Sequence, residues 1–381
     1  MALTRPSNDM LEGPLGTVAL VTSRVEAKAV NLVHSSAVML IEGARAGLFF
    51  VRDLSDYPDA ASDTNEGIYL LSTFDVTKVL VRDFSGPANV RWFGAIGNGV
   101  TNDLVALQAT SDLCQAVYIP DGAYITTAAW NLRDYATLYF ESRDAIIQSS
   151  SLSSIIAAVG GAITRNYHIT IYGGQIRGGG TGSAIGLDFR SVSMAKVYGT
   201  WITQCFEGVH NGGVDSVGAY YNDFFGVDIT TCLVGYRNGT LGNEIKVFGG
   251  RITDVSVGTD DDDNSGILYD GVAIETFTLA GHRLSNSGLA CVDVRSVACR
   301  FENPAGNPAY ASATGIKIAG TAQDTTIIAP GFSTVATDID GVGVRTTIIA
   351  YEGTHRLGLP TSSAGLATGT LWNDGGTVKV V

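Results

Sequence analysis

Ile245-Lys-Val-Phe-Gly-Gly-Arg-Ile252 decides the fold. Apolar residues alternate at Ile245 and Val247, a glycine pair interrupts them, and Ile252 resumes. The frame is apolar-x-apolar-x-(Gly/Ala)-x-x-apolar. It recurs as Ile169-Thr-Ile-Tyr-Gly-Gly-Gln-Ile176, Ala195-Lys-Val-Tyr-Gly-Thr-Trp-Ile202 and Val217-Gly-Ala-Tyr-Tyr-Asn-Asp-Phe224. Phe277-Thr-Leu-Ala-Gly-His-Arg-Leu284, Val294-Arg-Ser-Val-Ala-Cys-Arg-Phe301 and Ile327-Ile-Ala-Pro-Gly-Phe332 are weaker copies. The first four copies start 26, 22 and 28 residues apart. A strand turns alternate side chains to opposite faces, so two or three short strands with their turns use roughly 20 residues. The chain then lies beside its own start, one strand spacing (~4.8 Å) higher. No coil can bury its apolar column alone, but a stack of coils buries it continuously. The expectation is an all-β parallel β-helix with loops of variable length at its corners. A β-sandwich, the alternative, does not repeat one eight-residue frame.

Outward from these repeats the chain changes character. Residues 1–90 read as a small α+β domain, with a short helix over Thr22 to Lys28 and strands at Val38-Met-Leu-Ile41 and Leu48-Phe-Phe-Val51. Arg52 to Glu66 reads as a polar surface loop, and Ile68 to Val81 as further short strands. Gly97-Asn-Gly99 permits a left-handed turn, and Thr101, Asn102 and Asp103 are good helix N-caps. Leu104 to Leu113 then has the spacing of one amphipathic helix, expected to cap the solenoid. Residues 91–355 are assigned to the solenoid, with Thr346-Thr-Ile-Ile-Ala-Tyr351 as a last coil. Residues 356–381 are a Gly/Ser/Thr-rich linker and a terminal hairpin turning at Asn373-Asp-Gly-Gly376.

Composition excludes several functions. The 381 residues hold 47 Gly and only 9 Pro, which suits many tight turns and, without a Gly-X-Y period, not collagen. The net charge is −13 with no Lys/Arg-rich block, which argues against a nucleic-acid partner. No apolar run approaches the roughly 20 residues that span a bilayer, so no membrane partner is expected. The N-terminus lacks a basic region followed by an apolar one, so the expected route is synthesis in a cytoplasm without a signal segment and release by lysis. Cys114, Cys205, Cys232, Cys291 and Cys299 form no C-x-x-C pair and read as small buried apolar residues. The five His do not cluster in sequence, and no H-E-x-x-H or phosphate-binding glycine loop occurs. Neither metal nor cofactor is expected.

Trp92-Phe-Gly-Ala-Ile-Gly-Asn-Gly-Val-Thr-Asn-Asp103, a short helix, then Val117-Tyr-Ile-Pro-Asp-Gly-Ala-Tyr-Ile125 resembles the entry to the pectate-lyase-like superfamily of right-handed β-helices. That family's segment reads F-G-A-x-G-D-G-x-x-D-D; here Asn98 and Asn102 stand where acids are common. The segment before it and the Gly-Thr-Leu-Trp-Asn-Asp ending resemble phage tail proteins. The resemblance implies a tailspike or receptor-binding tail appendage of the virion. It also implies a homotrimer joined to other tail proteins through the N-terminal domain and recognising bacterial surface polysaccharide. Some members depolymerise that glycan, as glycoside hydrolases or lyases. A non-catalytic structural or adhesin component of the virion is the alternative. A free-standing lyase would be expected to carry a secretion signal.

The repeat register nominates residues. Its seventh position should point outward, and it holds Gln175, Trp201, Asp223, Arg251, Arg283 and Arg300. Stacked on successive coils, Trp201 would lie under a sugar ring, while Arg251, Arg283 and Arg300 would bind an acidic substituent. Asp223 is the acid nearest them, and Glu207 and Asp254 lie at neighbouring corners. These three are the catalytic candidates, because glycoside hydrolysis needs two carboxylates roughly 5–9.5 Å apart. The bland alternative is a solvated face of accidental composition. Gly258-Thr-Asp-Asp-Asp-Asp-Asn-Ser-Gly266 reads as a solvated corner loop; Ca²⁺ is the other reading, though the loop lacks D-x-D-x-D-G spacing.

Overall fold

The computed structural model describes residues 17–149, 154–157, 166–180, 182, 184–212, 218–262, 266–285, 294–328, 330–341, 346–349, 357–358, 364, 371–374 and 377–380. Cys291 and Tyr351 lie outside them, as does most of the linker and the Gly375-Gly376 pair.

The first unit is a five-stranded mixed sheet of Thr17–Val21, Ser35–Leu40, Gly47–Asp53, Lys78–Arg82 and Tyr69–Leu71, in that spatial order. Its first pair is parallel and the rest antiparallel. A short helix, Arg24–Lys28, is capped by Ser23 and buries Ala27 with Val38, Leu40, Phe49 and Leu80. Within the expected polar loop are two short 3-10 turns, Leu54–Asp56 and Pro58–Ser62. Arg82 ties this unit to the first coil. Its guanidinium sits 4.6 Å from the ring centres of both Phe49 and Trp92. It also donates to the carbonyls of Gly67, Ala46 and Arg45. Burial lowers its pKa to about 10.

The solenoid follows, a parallel β-helix with three faces. The first face is one 11-stranded sheet, from Ala88–Asn89 through Thr170–Tyr172, Lys196–Tyr198 and Asp223–Phe225 to Thr347–Ile349. The second face includes Gln175–Arg177, Trp201–Thr203, Asp228–Thr230 and Arg300–Glu302. The third includes Ile185–Phe189, Glu207–Asn211, Val234–Asn238 and Thr314–Ile318. Arg251–Asp262 and Ala273–Ser285 run through both second and third faces without a break, which joins them into one 18-stranded hydrogen-bonded sheet.

The local reasons are visible in the frame. Its glycine takes the left-handed conformation at the first corner, with φ of 69° at Gly173, 61° at Gly199, 58° at Gly226 and 60° at Gly249. The closing apolar position stacks Ile147, Ile176, Ile202, Ile229, Ile252 and Ile274 into a buried column. Each buried side chain contributes roughly 1.5–3 kcal/mol. A second glycine column enters the third face, where a Cβ on Gly208 would lie 2.7 Å from the Gly235 carbonyl oxygen and 2.8 Å from Ile229 Cγ2. At the base, Leu104–Leu113 caps the lumen, burying Ala106 and Leu107, and Ser111 Oγ accepts from Trp130 Nε1 at 2.9 Å. Asp103 does not cap this helix through its side chain; its carboxylate instead accepts the Ile96 and Gly97 N–H groups. Leu371–Asp374 and Thr377–Val380 pair antiparallel as a terminal hairpin.

Three details of the register differ from the sequence reading. The third coil starts at Asn222, not Val217, because Gly226 rather than Tyr221 occupies the frame's left-handed glycine corner. Phe277–Leu284 is not a repeat copy, because that segment is the continuous strand turning from the second to the third face. Thr259, Asp260 and Asp261 are not a solvated loop; they are buried residues of the third face. Strand alternation turns Asp260 outward into an ion pair and Asp261 into the lumen.

Candidate functional site on the second face

The outer surface of the second face carries two parallel columns. One holds Gln175, Trp201, Asp228, Arg251, Ala273 and Arg300 in register. The other, two residues further along each strand, holds Arg177, Thr203, Thr230, Thr253, Glu275 and Glu302. Three of the predicted glycan-binding residues, Trp201, Arg251 and Arg300, therefore share one face. The structure does not put Asp223 or Arg283 there. Asp228 takes the place expected for Asp223, because Gly226 makes the corner of that coil, and Ala273 takes that of Arg283, because Ala273–Ser285 is one continuous strand.

Trp201 is half-buried, with its Nε1 donating to Thr230 Oγ1 at 3.0 Å. Thr230 in turn donates to Thr203 Oγ1, so the indole is held across a coil boundary. Arg143 reaches in and donates to Asp228 Oδ2 at 2.7 Å. Arg251 is 55% exposed and lies only within long ion-pair range of Glu275, at 3.9 Å. Arg300 and Glu302 are exposed. Glu275 and Glu302 are direct register partners on adjacent strands, so their backbones are about one strand spacing, ~4.8 Å, apart. Sequence reading missed this carboxylate pair. The signal was the ninth position of the frame, which points outward just as the seventh does.

The three catalytic candidates fall on different parts of the coil. Asp223 is on the first face between Lys196 and Lys246 in register. Partial burial lifts its carboxyl above the usual range despite the two lysines. Glu207 opens a third-face strand, is 5% exposed, and lies 2.6 Å from His210 Nδ1 and 3.9 Å from Arg237. Asp254 is exposed at the corner between second and third faces, in a left-handed conformation with φ of 54°. Gln204, Thr231 and Thr276 take the same conformation at that corner of other coils. Asp254 is thus the candidate that borders the second face.

Arg283 belongs to a denser cluster on the third face. Its Nε and Nη2 grip the two oxygens of Asp260 at 2.8 and 2.6 Å, and Arg237 donates to the same carboxylate at 2.7 Å. The hydrogen bonds that Arg283 donates to Asp260 raise the Arg283 pKa. Among the described residues no group of three or more His, Cys, Asp or Glu is arranged to hold a metal ion, and no helix is long and apolar enough to cross a membrane. A cavity of about 720 Å³ beside the capping helix, at Leu104, Gln108 and Asn131, includes none of the candidates.

No protein-family model matches the chain, and no curated protein matches it by sequence. Solved structures do resemble it. The tailspike of Acinetobacter baumannii phage AM24 superposes with a TM-score of 0.61 at 12% identity, covering 86% of this chain and 64% of that one. The gp42 tailspike of Acinetobacter phage vb_AbaP_AS12 gives 0.60 at 12% identity, covering 88% and 70%. The enzymatically active domain of bacteriophage CBA120 tailspike protein 2 gives 0.50 at 14% identity, covering 91% and 63%. The chain thus spans under two thirds of the length of the first and last of these. What this chain has in common with those tailspikes is the fold.

Proposed function

We propose that this protein is a tailspike-type appendage of a phage tail that recognises bacterial surface polysaccharide on the second face of its β-helix. The observation that carries this reading is the in-register column of Trp201, Arg251 and Arg300 on an open sheet. An indole and two exposed guanidinium groups, spaced along a straight surface, suit an extended chain of sugars bearing acidic substituents. Arg283, by contrast, has its guanidinium committed to Asp260 and takes a structural role in this reading.

The assembly is a homotrimer joined through the first face. There Tyr139, Tyr172, Tyr198, Phe225 and Phe248 form an outward ladder of rings with centres 4.9–5.1 Å apart. Such a continuous partly exposed apolar strip favours burial against another surface. The N-terminal sheet serves attachment to other tail proteins.

Depolymerisation is a second reading, favoured by the Glu275–Glu302 pair. Carboxyl groups about 5–5.5 Å apart fit a retaining glycosidase, with one as acid and the other as nucleophile. Asp254 borders the same face; Asp223 and Glu207 face elsewhere. The test is incubation of the full-length protein with extracted capsule or lipopolysaccharide, following glycan size and reducing ends, with Glu302→Gln, Asp254→Asn and Asp223→Asn alongside. Shortened glycan that is lost in Glu302→Gln supports hydrolysis at the second face. Retained binding without cleavage supports an adhesin. Failure to bind any host glycan overturns the reading and leaves a structural tail component.

A further inference from the structure

A small cavity of about 10 Å³ lies inside the lumen, between third-face and first-face strands. His282 lines it from the third face, and Ser296 and Thr325 from the first. All three are at least 95% buried. His282 Nδ1 is 2.7 Å from Thr259 Oγ1. Its Nε2, and Thr325 Oγ1, are buried with no hydrogen-bond partner among the described residues. Ser296 Oγ is likewise buried without a hydrogen-bond partner among the described residues.

The surrounding hydrogen bonds define what His282 needs. Tyr269 donates its phenolic proton to Asp261 Oδ1 at 2.8 Å. Asn238 Nδ2 donates to the Tyr269 oxygen at 2.7 Å. The Tyr269 phenol is thus satisfied on both sides, and His282 Nδ1 pairs with the Thr259 hydroxyl. Nε2 is the ring nitrogen left without a partner, beside two hydroxyls that can each donate or accept. Each buried polar group left unmade costs about 1–3 kcal/mol. Space for about one water-sized sphere, with two to four polar partners around it, is what an internal water requires.

We propose that this lumen cavity binds one water molecule, which hydrogen bonds His282 Nε2 and the hydroxyls of Thr325 and Ser296. It bridges the third face to the first across the core, at a level where the otherwise apolar column of the first face is broken by Ser296. This inference does not depend on the glycan reading.

A crystal structure of the full chain at about 1.8 Å or better tests it directly. The expected result is one peak roughly 2.7–3.2 Å from both His282 Nε2 and Thr325 Oγ1. Thermal unfolding of Thr325→Val and the milder Ser296→Ala gives an independent reading. Loss of a water partner should lower the midpoint by about 1–2 °C in each variant. An empty cavity, with a midpoint unchanged or raised when the orphan hydroxyl is removed, overturns the proposal. A peak at cation distances, or a midpoint that responds to sodium, calcium or chelator, also overturns it by making the occupant an ion.

Discussion

The second and third faces of this β-helix both present charged residues outward, and apart from the close Arg143–Asp228 pair on the second they do opposite things with them. On the third face, Arg237 and Arg283 converge on Asp260, which is 1% exposed. Glu207 is similarly taken up by His210. On the second face, Arg251 meets Glu275 only at 3.9 Å, and Arg300 and Glu302 stand in solvent. Charges that satisfy one another at close range are part of the architecture. Charges left loosely paired on an open sheet remain available to a ligand. Counting charged residues does not separate these cases; the partner of each charge does.

The largest expected effect lies on the inner side of the third face, where Asp261 and His282 are both fully buried. Burial raises the Asp261 pKa to about 7, despite hydrogen bonds from Asn238 and Tyr269 and with Asp260 adding to the rise. Burial lowers His282 to about 3. Folding therefore takes up a proton at Asp261 between pH 3.8 and 7, so this contribution to stability falls as pH rises. It releases one at His282 between pH 3 and 6.5, so that contribution rises with pH. The two oppose each other, and the pair should add little pH dependence between about pH 4 and 6.5. Single variants unmask each arm. His282→Phe should make stability fall with rising pH by about 1.4 kcal/mol per unit in that window, and Asp261→Asn should make it rise by a similar slope. Urea unfolding from pH 4 to 7 measures both; slopes of equal sign in the two variants would refute the opposition.

Next in size is the ion-pair contrast. Asp260→Ala leaves two arginines around a vacated buried site and should cost about 3 kcal/mol in urea unfolding. Glu275→Ala, on the open face, should cost under about 1 kcal/mol. Equal losses would erase the distinction between the two faces. Smaller again is the ligand effect. Trp201→Ala should weaken glycan binding about fivefold, for roughly 1 kcal/mol of ring contact, and also lower stability by about 1–2 kcal/mol through the lost burial and the lost bond to Thr230. Arg283→Ala should lower stability and leave glycan affinity intact, as isothermal titration against the same glycan would show.

Much of this was legible in advance. The capping helix, the coils and the terminal hairpin follow from local pattern, and Trp201, Arg251 and Arg300 were placed on one face correctly. The errors have a common cause. Val217–Phe224 fits the apolar pattern, but its fifth position is Tyr221, and the glycine that makes the corner is Gly226. Tyr221 is itself left-handed, with φ of 60°, at a different corner. Such corners are made by non-glycine residues, among them Gln204, Thr231, Asp254 and Thr276, which no local rule marks. The strand over Arg251–Asp262 bends between faces with no break at all.

The sequence by itself therefore determined the coil: alternating apolar residues and a left-handed glycine dictate short strands that cannot be buried except by stacking. Only the tertiary structure decided which side chains meet. Coils differ in length, from Lys246 to Leu268 in a short one and from Arg295 to Thr326 in a long one. Each such difference shifts what lies above what. Whether Asp260 is a solvated acid or the centre of a buried ion pair, and whether Glu275 meets Glu302, depends on neighbours one coil away, and hydrogen-bonded register rather than spacing along the chain sets those neighbours.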